Sequence, residues 1–245
     1  TVRPLPRAWT GCCSMRSGVE AMVDASTAGG SHDLILGLAA GYHAGDVRPF
    51  LRSLAATGFS GRVVLFVSPT TRGLAELTGL GAEIIPFTRP VEAGHVPYNA
   101  WRFFLYREYL GGLARLCVPP GRVLLTDVRD VVFQRDPFSF AWPSGLCVFY
   151  EDRVTRLCEC PHMTRWTLGH LGPQALGRMG QSLVSCSGTL LGDRDGVRSW
   201  LDRLCARLLP FEPPEARGMA GYDQVVHNLL LHEGRRPSWT LPATS

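Results

Sequence analysis

The chain has 245 residues, 45% of them hydrophobic, and a formal net charge of +4. This composition excludes a largely disordered chain, and no run approaches the roughly 20 apolar residues that span a bilayer. All 25 cationic residues are Arg, and they are spread along the chain. The basic stripe typical of a nucleic-acid-binding protein is therefore missing, and we expect no nucleic-acid partner.

Short apolar runs alternate with amphipathic stretches from Asp33 onward. The predicted strands are 33–40, 62–67, 82–87, 122–126, 146–150 and 183–192. The predicted helices are 47–57, 70–81, 98–116, 197–208 and 222–232. This alternation predicts an α/β domain with a mostly parallel central sheet flanked by helices.

Two segments fall outside that regular pattern. Residues 1–30 have weak periodicity and are expected to form an N-terminal extension or stem, which leaves 31–245 as the single domain. Residues 151–180 are rich in Gly, Pro, His and Arg, and we expect them to be an irregular acceptor-binding loop.

The strongest candidate site follows the apolar strand at 122–126, where Asp127 and Asp130 stand close together. Ligands of open α/β sheets bind beyond the carboxyl ends of the strands. Two neighbouring carboxylates are hard oxygen ligands for Mg²⁺ or Mn²⁺, which in turn bind a diphosphate. Because Asp is also common in turns, a purely structural role is the alternative.

Two later segments carry further polar groups. In the helix at 222–232, Asp223 and His227 are four residues apart and share one face. The alternative makes Asp223 a helix-start residue and His227 a surface group. In the strand at 183–192, Gly188 follows Ser187 and permits close approach of a ligand to the backbone.

These three segments, LLTDVRDVVFQRDPF, SGTLLG and DQVVHNLLLH, stand in an order that resembles the nucleotide-sugar-dependent glycosyltransferases of the GT-A fold. The likeness covers roughly 33–233 and includes a helix with the run Asn99-Ala-Trp-Arg102. It implies a Rossmann-like GT-A domain that moves a sugar from a UDP-sugar donor to a hydroxyl of a glycan or glycoprotein. It also implies assistance by Mn²⁺ or Mg²⁺.

The resemblance implies a role for each site residue. Asp223 would be catalytic, and the metal ligands would be Asp127, Asp130 and either His227 or His232. The nucleotide and donor contacts would be Tyr42 and Phe87 at the base, Arg102 at the diphosphate or bracing the acidic loop, Asp127, Arg129, Ser187, Gly188 and Gln224.

One departure from the usual Asp-x-Asp pattern concerns the metal. Arg129 occupies the third position, and the second carboxylate arrives one residue later. The guanidinium could itself neutralise a diphosphate, so the sequence leaves metal dependence open.

Two other functions stay open at this stage. One is a non-catalytic domain of the same fold that binds sugar nucleotide or glycan. The other is a haloacid-dehalogenase-like phosphatase with Asp127 as nucleophile, although Arg129 stands where its second Asp is expected and the chain has no Lys. If an N-terminal anchor precedes the chain, a Golgi or secretory lumen is expected, and otherwise the cytoplasm.

Overall fold

The computed structural model describes residues 33–94, 96–116, 121–208, 219–233 and 240–241, so the predicted extension at 1–30 lies outside it. The strands are β1 (Leu34–Ala39), β2 (Arg62–Val67), β3 (Ala82–Pro86), β4 (Arg122–Thr126), β5 (Leu146–Tyr150), β6 (Ser185–Asp193) and β7 (Thr240–Leu241). The α-helices of this described part are α1 (Ala44–Ala56), α2 (Leu74–Gly79), α3 (Tyr98–Arg115), α4 (Pro161–Leu171), α5 (Pro173–Met179), α6 (Arg194–Arg207) and α7 (Tyr222–Glu233).

The strands form one mixed sheet in the order β3-β2-β1-β4-β6-β5-β7. Neighbours β1, β2, β3 and β4 pair in parallel, and β5 pairs in parallel with β7. Strand β6 is antiparallel to both of its neighbours, β4 and β5. The predicted α/β class and mostly parallel sheet are therefore confirmed, and β4 lies in the middle of the sheet.

Both faces of the sheet are covered, which explains why β2 is apolar at five successive positions. Alternate side chains point to opposite faces. Val64 and Phe66 join the core beneath α3, α6 and α7, whereas Val63 and Leu65 join the core beneath α1 and α2. Helix α3 packs against α6, and α7 packs against β6.

The predicted irregular loop at 151–180 is wrong, because α4 and α5 lie within it. Each of these helices has Pro as its first residue, Pro161 and Pro173, where the absent N–H costs nothing. Gly172, at φ 78°, separates the two helices. The Pro and Gly residues therefore mark helix boundaries here rather than a loop.

The boundaries of the first two helices also differ from the prediction. Helix α1 begins three residues earlier because His43 caps it, and Asp46 bonds back to the His43 N–H. Helix α2 begins only at Leu74, after Gly73 in the left-handed region at φ 79°.

Of the helices in the described ranges, none is both long and apolar enough to cross a bilayer.

The carboxyl ends of β1 and β4 lie at the same edge of the sheet, since the two strands are parallel. The amino end of β6 reaches this edge from the opposite direction. The residues after β1, the acidic segment after β4 and the amino end of β6 therefore lie at one edge.

Candidate functional site

Asp127 is the first residue after β4 and lies directly over β6. Its N–H donates to the carbonyl oxygen of Gly188 at 3.0 Å. A Cβ atom placed on Gly188 would overlap with Oδ2 of Asp127. The side chain of Asp127 is 47% exposed. The carboxylate therefore rests on a strand that has no side chain at this point, and it still faces solvent.

Arg102, on α3, joins this carboxylate to the buried one of Asp223. Its Nη1 bonds to Oδ1 of Asp127, and its Nη2 lies 3.1 Å from Oδ2 of Asp223. The guanidinium is almost fully buried. Burial opposes its charge, but the two carboxylates outweigh burial and raise the pKa of Arg102. In this structure Arg102 braces the acidic segment after β4.

Asp223 is held on every side. Its Oδ1 accepts a hydrogen bond from Nδ2 of Asn99 at 2.8 Å, and Oδ2 accepts one from Ser187 Oγ at 3.1 Å besides Arg102. Asn99 and Arg102 are three residues apart on α3, so both reach the same partner. Asn99 was noted in the sequence only as part of a run, and its spacing from Arg102 is the signal that singles it out.

The charge of Asp127 depends on competing effects. Burial is the largest influence and raises the pKa of its carboxyl, Arg102 opposes this, and the charges of Asp223 and Asp130 raise it further. Asp130 is exposed. A cation that binds beside Asp127 and Asp130 would therefore relieve a repulsion already present.

Arg129 lies against the first loop, residues 40–43 between β1 and α1. Its guanidinium is 5.7 Å from the centre of the Tyr42 ring, and its Nε is 4.0 Å from Oδ1 of Asp46. Tyr42 is partly exposed, so a flat ligand can reach both side chains.

Phe87 lies in a different environment from Tyr42. It is only 2% exposed and belongs to the core beneath α3. Its ring packs edge-on against Tyr98, with centroids 5.9 Å apart. Tyr98 is 37% exposed, and the Arg89 guanidinium lies 4.4 Å from its ring centre. Tyr98 is therefore a second accessible aromatic ring besides Tyr42, and the sequence reasoning did not single it out.

The side chain of Gln224, on α7, hydrogen-bonds to the backbone at the amino end of β6. Its Oε1 accepts from the Ser187 N–H at 2.7 Å, and its Nε2 donates to the carbonyl oxygen of Ser185 at 2.9 Å. Nε2 also donates to Oε1 of Glu151 at 3.0 Å. Burial raises the pKa of Glu151, and the neighbouring charge of Asp152 adds to this.

Glu151 was missed from the sequence. The signal that could have found it is the one used for Asp127, an acidic residue directly after an apolar strand.

The two proposed histidine ligands lie on the inner side of α7. His227 is completely buried, and its Nε2 is 2.9 Å from Ser185 Oγ. His232 is half-buried, with Nε2 3.1 Å from the Leu183 carbonyl oxygen. The hydrogen bonds of both rings are thus with β6 and with Leu183 just before it rather than with Asp127 or Asp130.

The residues present suit one kind of metal binding. Within the described ranges, no three His, Cys, Asp or Glu side chains gather into a site made by protein ligands alone. Mg²⁺ usually takes one or two carboxylates and fills its other positions with phosphate and water. Asp127 and Asp130 fit an ion of that type, with the diphosphate as the main source of further ligands.

Comparison with known proteins adds no family to these observations. No protein-family model matches the chain, and no curated protein matches it either.

Proposed function

We propose that the protein is a glycosyltransferase of the GT-A type that transfers a sugar from a UDP-sugar to a hydroxyl of a glycan or glycoprotein. The observation that carries this proposal is the bridge made by Arg102 between Asp127 after β4 and Asp223 on α7. Ser187 and Gly188 of β6 lie against the same two carboxylates. Three distant segments thus build one site at the carboxyl edge, where such sheets bind ligands.

In this proposal the nucleotide lies between the first loop and the acidic segment. Tyr42 offers its partly exposed ring to the base, and Arg129 beside it offers a positive charge to the diphosphate. Asp127 and Asp130 would hold Mn²⁺ or Mg²⁺. When bound there, such an ion would stabilise the negative charge that grows on the departing nucleoside diphosphate.

The space over Gly188, which the sequence suggested for close approach of a ligand, is filled by the Asp127 carboxylate. The sugar would therefore lie on the solvent side of that carboxylate, next to Ser187 and Gly188. Asp223 sits beneath this point with both carboxylate oxygens already hydrogen-bonded. This burial supports a positioning role for Asp223, which fixes Ser187 and Arg102, over direct proton transfer with the sugar or acceptor.

The first test is a titration with UDP and Mn²⁺, paired with UDP release from a panel of UDP-sugars. Asp127→Asn removes a charge that faces the cation, so we expect weaker UDP binding and loss of turnover. Asp136→Asn is the matched control. Asp136 accepts the Phe138 N–H in a nearby turn, and an amide oxygen can do the same.

The alternatives give different results in the same assays. Tight UDP binding without turnover of any sugar nucleotide would indicate the non-catalytic binding domain. Hydrolysis of p-nitrophenyl phosphate that depends on Asp127, with no UDP binding, would indicate a phosphatase and overturn the proposal.

A further inference from the structure

A second acidic residue ends a strand at the same edge of the sheet. Strands β4 and β5 run in the same direction because each pairs antiparallel with β6. Glu151 follows β5 as Asp127 follows β4. The two carboxylates therefore flank the amino end of β6 from opposite sides.

The backbone N–H groups of the two acidic residues bond to carbonyl oxygens four positions apart, one in β6 and one just before it. The Glu151 N–H donates to the Val184 carbonyl oxygen, and the Asp127 N–H donates to that of Gly188. At about 3.3 Å per residue, these two carbonyl oxygens lie within about 13 Å of each other along the chain. Cys186 lies between them. Burial raises the pKa of its thiol, and the charges of both carboxylates contribute.

Glu151 is fixed in place yet accessible. Its Oε1 accepts a hydrogen bond from Gln224, which is itself bonded to the Ser187 N–H. Among the residues that the structure describes, Gln224 is the one hydrogen-bond partner of this carboxylate, so Oε2 is free to meet a ligand. The residue as a whole is exposed.

Asp223 differs in each of these respects. It is 3% exposed, and its two oxygens accept three hydrogen bonds, one of them from the Arg102 guanidinium. Burial and these three hydrogen bonds leave Asp223 little access to a substrate hydroxyl. Glu151 can accept a proton on Oε2 while its bond to Gln224 stays intact.

We propose that Glu151 is the general base of the transfer reaction, on the acceptor side of the sugar, with Asp127 on the diphosphate side. This inference rests on the proposed function. The acceptor hydroxyl gives its proton to Oε2 of Glu151 while its oxygen forms a bond to the anomeric carbon. The bond from that carbon to the phosphate oxygen breaks, and its electron pair leaves with the nucleoside diphosphate. A single displacement of this kind inverts the anomeric configuration.

The surroundings of Glu151 agree with that role. A general base works best when its pKa lies near the operating pH. Partial burial of its carboxyl and the charge of Asp152 both raise the pKa of Glu151. The groups that face it from the other packed elements are the Cys186 thiol of β6 and the neutral amide of Gln224 on α7.

The test uses UDP-glucose and UDP-galactose with Mn²⁺, and water as the acceptor, with UDP release as the signal. Glu151→Gln keeps an oxygen that can accept the Gln224 hydrogen bond but cannot take up a proton. We expect kcat to fall roughly 10²–10⁴-fold while UDP affinity and thermal stability stay unchanged. The acid limb of the rate–pH profile should disappear.

Two further variants separate catalysis from structure. Glu159→Gln is the control, because this exposed carboxylate accepts the Arg156 N–H in the same segment and an amide can replace it. Glu151→Asp keeps a base on a shorter side chain and should retain the acid limb at a reduced rate. If Glu151 were only structural, the isosteric Gln would be the milder of the two changes.

The outcomes for the two proposals are distinct. If the protein releases UDP and Glu151→Gln releases it equally fast, the assignment of the base is overturned and the glycosyltransferase proposal stands. If the unaltered protein neither binds UDP nor turns over a UDP-sugar, the proposed function fails, and the assignment of Glu151 fails with it.

Discussion

Gly188 shows how a single residue determines the position of the site. The Asp127 carboxylate passes over this glycine, whose missing side chain leaves only the space that Oδ2 occupies. Gly188→Ala should displace Asp127 and strain its bond to Arg102. We expect weaker UDP binding and a loss of stability of about 1–3 kcal/mol, typical of a group inserted where there is no space. UDP titration and urea unfolding measure the two effects.

Gly177 supplies the matched control. It lies within α5, and a Cβ placed there would have no heavy atom within 4 Å. Gly177→Ala should leave UDP binding unchanged and raise stability by roughly 0.5–1 kcal/mol, because Ala is the better helix former. Equal effects of the two substitutions on UDP binding would contradict the position we assign to Asp127.

Arg102 is the residue whose role the sequence left most open. A cation on a helix ahead of an acidic strand could face either a diphosphate or the protein itself. Its burial between Asp127 and Asp223 depends on how α3 and α7 pack, which no local pattern reports. A buried cation held between two carboxylates also explains why a polar residue stands among the apolar ones of α3.

At the scale of elements, side chains of α7 complete the hydrogen bonding of β6. The pairing of β5 with β6 shifts register between Val148 and Tyr150, so part of the amino half of β6 lacks a strand partner on that side. Buried backbone groups need partners, and α7 provides them. Oδ1 of Asn228 accepts from the Ser185 N–H at 2.9 Å, and its Nδ2 donates to the carbonyl oxygens of Ser185 and Gln224.

Asn228→Ala removes the hydrogen bonds that the Asn228 side chain of α7 makes with Ser185 of β6. The buried Ser185 N–H would lose its partner. The Ser185 carbonyl keeps its bond from Nε2 of Gln224, and the Gln224 carbonyl keeps its N–H partner within the helix. We expect a loss of roughly 1–3 kcal/mol for this buried N–H left unsatisfied, measured by urea unfolding. Gln181→Ala, which removes an exposed amide near Cys158, should change stability by less than about 0.5 kcal/mol. Similar losses of stability for both variants would contradict the role of Asn228 in stabilising the contact between α7 and β6.

Comparing predicted with observed elements shows which of them local sequence patterns can predict. The buried strand over 62–67 and the helix from Tyr98 follow from local patterns, and so does the position of Asp127 at a strand end. Helices α4 and α5 were missed because Pro161 and Pro173 suggest a loop when their neighbours in space are unknown. The pairing of Glu151 with Gln224 joins residues 73 positions apart, and periodicity carries no information at that distance.

At the scale of the whole molecule, the buried His227 links stability to pH. Its ring lies inside the protein, with Nε2 bonded to Ser185 Oγ. The Trp200 and His227 rings pack in a T-shaped arrangement, with their centroids 5.4 Å apart. Burial is the main reason that its pKa is lowered to about 3, and the charges of His232 and Arg102 add to this. The folded state therefore holds His227 neutral at a pH where an unfolded chain protonates it.

The sign of the resulting pH dependence follows from proton uptake. Between about pH 6.5 and pH 3 the unfolded chain binds a proton at His227 that the folded protein does not bind, so stability falls as pH falls through that range. The slope from this one group is about 1.4 kcal/mol per pH unit, and it vanishes above pH 6.5. Asp127 and Glu151, whose pKa values are raised, act in the opposite sense at acid pH.

The contribution of His227 is isolated by comparison with His227→Gln, whose amide can still bond to Ser185 but does not titrate. Stability from urea unfolding at several pH values should show a steeper acid loss for the unaltered protein than for the variant. The difference between the two curves cancels the opposing carboxylates, because both proteins contain them. It should grow steadily below pH 6.5 and stay constant above it. Parallel curves across this range would mean that His227 is accessible to protons in the folded state, and the helix–strand contact around Ser185 would then be open rather than closed.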